Sequence, residues 1–217
     1  MKLYVYDHCP YSVRARMAVG LHRLPVEMVY LLNDDEATPI SLIGAKQVPI
    51  LQKDDGSHMS ESLDIVHYLQ QYAGKAPLNV TIRPEMQAWF DRFGEYGNRL
   101  IMPRDVQLNL PEFATQAAID YFVTKKEANV GKFSDLLAQS DAYIARANQE
   151  LAQLATLLSP SSHYLNGTDL SLEDIIIFPL LRNLSMVRDV DYPAIVRDYV
   201  DFMAQESQIN LYFDRAI

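Results

Sequence analysis

Strand signals occupy the first third of this chain and then stop. Between residues 1 and 72, short apolar alternations and helix-like stretches follow the order β-α-β-α-β-β-α, whereas beyond Pro84 apolar residues recur only at helical spacing. Few architectures accept that grammar. Lys2-Leu3-Tyr4-Val5-Tyr6 and Pro25–Leu31 read as strands on either side of a helix over Val13–Leu21, with Gly20 near its end. Asn33-Asp34-Asp35 ends the second strand, Pro39–Ile43 suits a short helix, and Val48-Pro49-Ile50-Leu51 reads as a third strand. Asp54-Asp55-Gly56 signals a hairpin turn into a short strand near His58–Ser60, and Ser62 opens a helix through Ile65, Val66 and Leu69. Two parallel strands joined by a crossover and followed by a hairpin predict a small mixed sheet with helices on both faces.

Residues 73–84 have linker composition, with Gly74, Pro77 and Pro84 breaking the pattern. The expected organisation is an α/β domain over 1–72, that linker, and an all-helical domain over 85–217. In the helical half, Glu85 to about Arg99 is anchored by Trp89, Phe90 and Phe93, and Phe113–Lys126 follows. Ser134–Leu158 carries Leu137, Ile144, Leu151, Leu154 and Leu158 at helical spacing. Ser171 and Asp174 form a variant capping box before Ile175–Leu181, a helix apolar on all sides and therefore central. Pro179 should kink that helix or sit near its start, and Tyr192–Gln205 is a last amphipathic helix.

Charge and composition remove several function classes. Apolar content of 49% and charged content of 22% are those of a globular chain. A net charge of −9 with no basic block is wrong for nucleic acid, whose phosphates demand clustered Lys and Arg. No apolar run approaches the ~20 residues that span a bilayer, and no charged-then-apolar leader precedes the first strand. A single cysteine forms no internal disulfide, so the expected compartment is the cytosol.

That cysteine, Cys9, lies directly after the first strand in the run Cys9-Pro10-Tyr11-Ser12. Pro10 suits a first helical position, where its missing N–H would be unpaired anyway. A sulfur at a helix start faces free N–H groups and the positive end of the dipole. Cysteines so placed titrate below the free value of about 8.5 and react as thiolates. A lone cysteine is more usually a small buried hydrophobe, but the strand–Cys–Pro–helix context argues for a reactive sulfur. His8, Arg14 and Arg16 are read as surface and solvated helix charges that add at most a little positive potential. His22, His58, His67 and His163 have no metal-ligand spacing with a cysteine or with one another, so no metal is assigned.

Taken in order, Tyr6-Asp7-His8-Cys9-Pro10-Tyr11, Leu32-Asn33-Asp34-Asp35, Lys46 to Asp55 and Phe178-Pro179-Leu180-Leu181-Arg182-Asn183-Leu184 resemble the bacterial glutaredoxin 2 family over essentially the whole chain. Those glutaredoxins share the architecture of cytosolic glutathione transferases. The resemblance implies a thioredoxin-like N-terminal domain, a glutathione-transferase-like all-α C-terminal domain, and glutathione as co-substrate. It implies Cys9 as nucleophile; Tyr11, next to that sulfur and expected to be exposed, can lie along the bound tripeptide or pack at the mouth of the site. It also favours a cis Val48–Pro49 bond, although X–Pro bonds are cis only ~5–6% of the time. The backbone of Val48 would then pair with an extended ligand as an added strand does. Glu61 and Ser62 would hold the γ-glutamyl end, the helix start and hydroxyl taking its carboxylate and Glu61 its ammonium. On their own, Ser60 or Ser62 reads equally well as an N-cap, with Glu61 as a first-turn charge.

Position 12 departs from the family pattern. Dithiol members carry there a second cysteine that attacks the mixed disulfide at the first; Ser12 can only hydrogen-bond the thiolate. Serine occurs in monothiol relatives and in cysteine-type omega-like transferases, and would equally serve as a replacement that traps a glutathione adduct. The expected function is a glutathione-dependent thiol–disulfide oxidoreductase acting on glutathionylated proteins or small disulfides as a monomer. A cysteine-type transferase acting on electrophiles or quinones is the enzyme alternative, and a non-catalytic glutathione-binding interaction protein the alternative of another class. An iron–sulfur carrier fits less well, because Pro10-Tyr11 replaces the small residues expected there.

Overall fold

In the computed structural model, which describes residues 1–160 and 163–217, four strands form one sheet in the order β2-β1-β3-β4. Strand β1 (Lys2–Val5) lies parallel to β2 (Glu27–Tyr30) and antiparallel to β3 (Ile50–Gln52), which pairs with β4 (His58–Met59). The helix α1 (Pro10–Leu21) crosses from β1 to β2, and α2 (Ala37–Ile43) precedes β3. Helix α3 (Ser62–Tyr72) follows β4. This is the small mixed sheet expected from the alternating signals, and the thioredoxin-like domain that the resemblance implies. The hairpin closes as its Asp-Gly pair predicts: Gly56 adopts φ +82°, and the Lys53 N–H reaches Ser57 O at 2.9 Å.

The second half is helical. Helix α4 spans Pro84–Asp105, and a 3-10 turn at Pro111–Phe113 leads to α5 (Gln116–Val130). Thr115 caps α5 by accepting the Ala118 N–H on its hydroxyl oxygen at 3.2 Å. The single helix expected over Ser134–Leu158 is two, α6 (Phe133–Ala138) and α7 (Ser140–Leu157). Gln139 tightens the last turn by bonding Leu136 O, and its side chain holds Asp135 O. Phe133 and Leu136 are buried rather than Leu137, so the inward stripe changes register at the break. Helix α8 (Leu172–Leu184) is buried along nearly its whole length, and α9 covers Ala194–Ser207. Asp174 accepts the Ser171 N–H at 2.9 Å, as the capping pattern predicts, and its carboxylate also takes the Ser171 hydroxyl at 2.9 Å. Pro179 lies inside α8, leaving the Ile175 carbonyl without its intrahelical donor.

Contacts divide the chain into two units. One comprises Met1–Pro77, Val106–Lys125 and Glu206–Ile209; the other comprises Leu78–Asp105, Lys126–Gln205 and Asn210–Ile217. The strand-bearing unit thus includes a stretch, 106–125, that follows the linker in sequence. Its core is Leu3, Val5, Val13, Met17, Ile50, Leu51, Ile65 and Leu69, all at 0% exposure. In the other unit Trp89 is fully buried and its indole N–H donates to Glu150 O at 2.8 Å.

Gly20 is where this unit tolerates no side chain. A Cβ there would lie 1.7 Å from the backbone oxygen of Ser207 and 2.5 Å from its carbonyl carbon. Backbone cannot swing aside as a side chain can, so Gly20→Ala should destabilise by about 2 kcal/mol or more despite alanine's better helix propensity. The urea midpoint should fall accordingly, and an unchanged midpoint would show that the segment at Ser207 moves freely.

Candidate active site

Cys9 is the extended residue before α1, with φ −69° and ψ 117°, and Pro10 takes the first helical position. Its carbonyl accepts the Val13 N–H at 3.0 Å, which starts the helix. The sulfur therefore lies among N–H groups that have no intrahelical acceptor. The Ser12 N–H, the Ser12 hydroxyl and the Tyr11 N–H lie close enough to it to favour its anion. Ser12 is fully buried, and its Oγ also accepts the Tyr6 N–H at 3.3 Å, tying the sulfur to the end of β1. Tyr11 projects outward at 54% exposure.

Donors alone do not set the thiol's titration. Cys9 is half-buried, and loss of solvation is the largest influence on it, favouring the neutral form. The neighbouring Ser12 and Tyr11 donors oppose that, the Glu112 carboxylate adds to it, and the thiol ends above its ordinary value. The lowering expected from a helix start is thus overturned in the free chain, because desolvation outweighs the converging donors.

The Val48–Pro49 bond is cis. Tyr4 faces Ile50 across the antiparallel β1–β3 pair, so Val48 and Pro49 directly precede a strand that pairs with β1. Gln47 then ties this segment to the start of α3, donating to Glu61 Oε1 at 3.3 Å and Ser60 O at 3.5 Å. Glu61, extended at φ −76° and ψ 120°, is the residue that precedes α3, and no side chain caps the helix. Neither Ser60 nor Ser62 plays the capping role that sequence allowed. Cys9, Tyr11 and Ser12 thus share one helix turn, while Val48, Pro49, Glu61 and Ser62 form a second group joined through Gln47.

Sequence reasoning missed what holds the turn before Cys9. His8, read as a surface residue, has only 12% of its side chain exposed. Its ring stacks on Tyr6 and Phe113 and meets the edge of Phe122. Its Nδ1 lies 2.5 Å from Glu112 Oε1, which also accepts the His8 N–H at 2.9 Å. Glu112 is fully buried and its Oε2 has no hydrogen-bond partner. Burial raises the Glu112 carboxyl, but the hydrogen bond and charge of His8 outweigh it and hold the group below its usual range. The same residue's carbonyl accepts the Asn33 N–H at 2.9 Å. Arg14 and Arg16, read as solvated, are each 8% exposed. Arg16 is buried because Asp7 neutralises it, with Nη1 2.6 Å from Oδ1. Among the described residues, no group of three His, Cys, Asp or Glu side chains could hold a metal ion, and no helix is long and apolar enough to cross a membrane.

Comparison with known proteins gives a consistent picture. Residues 85–216 match the family model described as glutaredoxin 2, C-terminal domain, and residues 3–77 match glutathione S-transferase, N-terminal domain. Glutaredoxin 2 of Escherichia coli K12 is 49% identical over 218 residues, covering 100% of both chains. The crystal structure of glutaredoxin 2 from Salmonella typhimurium in complex with glutathione superposes with a TM-score of 0.95 at 46% identity, covering 100% of this chain and 98% of that one. A glutathione S-transferase from Rhodospirillum rubrum F11 shares the fold at 19% identity, with a TM-score of 0.60 over 94% of this chain and 86% of its own.

Proposed function

This chain belongs to the glutaredoxin 2 family and is a glutathione-dependent thiol–disulfide oxidoreductase, and from that premise we infer that it reduces glutathione mixed disulfides through Cys9 alone. The observation that carries this reading is a single cysteine at the head of α1, its sulfur at the helix start, with a serine at the position that could have resolved it. The Cys9 thiolate attacks the glutathione sulfur of the mixed disulfide. A new S–S bond forms, the old one breaks, and the substrate leaves as a thiolate that takes up a proton. A second glutathione thiolate then attacks the glutathione sulfur held on Cys9, forming oxidised glutathione and freeing Cys9.

Each step of that cycle exchanges one disulfide for another, so no second cysteine is required. Ser12 donates to the Cys9 sulfur when it is anionic, both before attack and as it leaves. Accepting the Tyr6 N–H, just past β1, holds that hydroxyl in position. We place the γ-glutamyl group at the uncapped start of α3, its carboxylate on the free N–H groups and the Ser62 hydroxyl, its ammonium on Glu61. Val48 would supply the backbone pairing, and Tyr11 a face along the tripeptide. Proteins and small thiols carrying glutathione are the proposed substrates. The reducing cytosol suits such a cycle.

Glu61→Ala and Ser62→Ala should each raise the KM for glutathione about tenfold, since each removes a hydrogen bond to a charged group worth about 1.5–3 kcal/mol. The Cys9 alkylation profile should stay in place in both. Initial rates against glutathione concentration test this. Unchanged KM in both variants would put the γ-glutamyl site elsewhere.

A further inference from the structure

Among the described residues, four arginines are buried: Arg14, Arg16, Arg104 and Arg182. Three have partners that explain their burial. Arg16 is held by Asp7; Arg104 donates to Leu100 O, Ser140 Oγ and Ile217 O; Arg182 donates to Asn210 O. Arg14 differs. It is 8% exposed, its Nε is buried without an acceptor, and no described residue accepts a hydrogen bond from it or pairs with its charge. Its one contact of note is with Tyr11, over whose ring its Cζ lies at 4.7 Å. A guanidinium carries five donors and does not lose its proton, so burial without an anion leaves a strong unmet demand.

Where this demand points is set by the helix. Arg14 reaches back over the preceding turn to Tyr11, two residues past Cys9, and so toward the sulfur. No acidic residue stands in the first turn of α1, and the nearby Asp7 is already committed to Arg16. Burial lowers the guanidinium's affinity for its proton, with the Tyr11 and Cys9 groups opposing. An anion arriving beside the sulfur would satisfy the charge that the protein leaves unmatched. We propose that Arg14, backed by the exposed ring of Tyr11, is a carboxylate-binding subsite that selects mixed disulfides whose departing thiol bears a carboxylate.

The subsite rests on the Cys9 exchange proposed above. When Cys9 forms its bond to the glutathione sulfur, the substrate sulfur departs with the electron pair of the broken S–S bond. In this proposal a carboxylate a few bonds from that sulfur pairs with the Arg14 guanidinium. It can come from a small carboxylated thiol or from an acidic residue flanking a glutathionylated cysteine. The net charge of −9 works against such substrates at long range. A preference for them therefore requires a local cation.

The test compares glutathione mixed disulfides of mercaptopropionate, mercaptoethanol and cysteamine, which leave as carboxylate, neutral and ammonium thiols. A second arm uses glutathionylated peptides with Glu or Lys next to the cysteine. Wild-type protein should show a KM about tenfold lower for the carboxylate member than for its ammonium counterpart in at least one arm, the size of one charge-assisted contact. That arm identifies the source. In Arg14→Met the ratio should collapse to about one, while Arg14→Lys should keep most of it. Equal KM across the series in wild-type protein, or a ratio that survives in Arg14→Met, overturns the subsite. Should Arg14→Met fail to fold, added salt supplies the second measurement: it should erode the wild-type ratio, and a salt-independent ratio overturns the proposal. Activity surviving Cys9→Ser would instead remove the exchange reading itself, leaving the two failures distinct.

Discussion

Cys9→Ser should abolish exchange with every glutathione mixed disulfide, a loss of at least about a thousandfold, since a serine hydroxyl is not ionised near neutral pH and forms no disulfide. Turnover of glutathione–mercaptoethanol disulfide measures it, and intact mass after oxidised glutathione should show one glutathionyl group on wild-type protein and none on the variant. The pH dependence follows from the surroundings of the sulfur. Burial disfavours the thiolate more than the Ser12 and Tyr11 donors favour it, so the thiol is raised. Deprotonation accordingly comes later on a rising pH scale. Alkylation of the free protein by iodoacetamide should accelerate through a midpoint above about 8.5, the value of an unperturbed cysteine. Ser12→Ala removes a donor to the anion and should move that midpoint up. A midpoint well below 8.5 would restore the view that the helix start governs the thiol.

The order of elements was legible because each strand and helix of the first 72 residues announces itself locally. Alternation marks β1 and β2, Asp55-Gly56 the hairpin, and Pro10 the start of α1. The cysteine turn was legible for the same reason, being built from four consecutive residues. The environment of that turn was not. His8 and Glu112 are 104 positions apart, and Glu112 lies in a short 3-10 turn that no hydrophobic period marks. Pro111-Glu112 gives no sign of its partner. Arg14 and Arg16 were misjudged because a charge on a helix is normally solvated. Asp7 and Tyr11 change that rule at two positions, and only tertiary packing reveals them. The titration of Cys9 was misjudged on the same account: donors follow from local backbone, whereas desolvation depends on what the rest of the fold places around the sulfur.

Glu112 is where the fold and the chemistry meet, and its removal should be the most costly change outside Cys9. The carboxylate receives both the backbone N–H and Nδ1 of His8, whose ring is packed among Tyr6, Phe113 and Phe122. Glu112→Ala strands two buried donors in an apolar setting and should cost about 3–5 kcal/mol, the range for breaking a buried pair from one side. Because His8 directly precedes Cys9, the sulfur should also lose its placement, and the exchange rate should fall. Glu112→Gln separates charge from shape. Its amide oxygen can keep the His8 N–H while the negative charge disappears, so the Cys9 alkylation midpoint should move down, the Glu112 charge being one of the influences that raise it. The acid limb of stability should change too. The Glu112 carboxyl is held below its usual range, so its contribution is complete above the unfolded value of about 4.3 and is lost as pH falls through the lower folded value. Glu112→Gln should therefore flatten that part of the stability profile, read as urea midpoints between neutral pH and pH 3. If the midpoint of Cys9 alkylation stays fixed in the glutamine variant while stability drops, Glu112 only braces the fold. A downward shift places its charge in the control of the reactive sulfur.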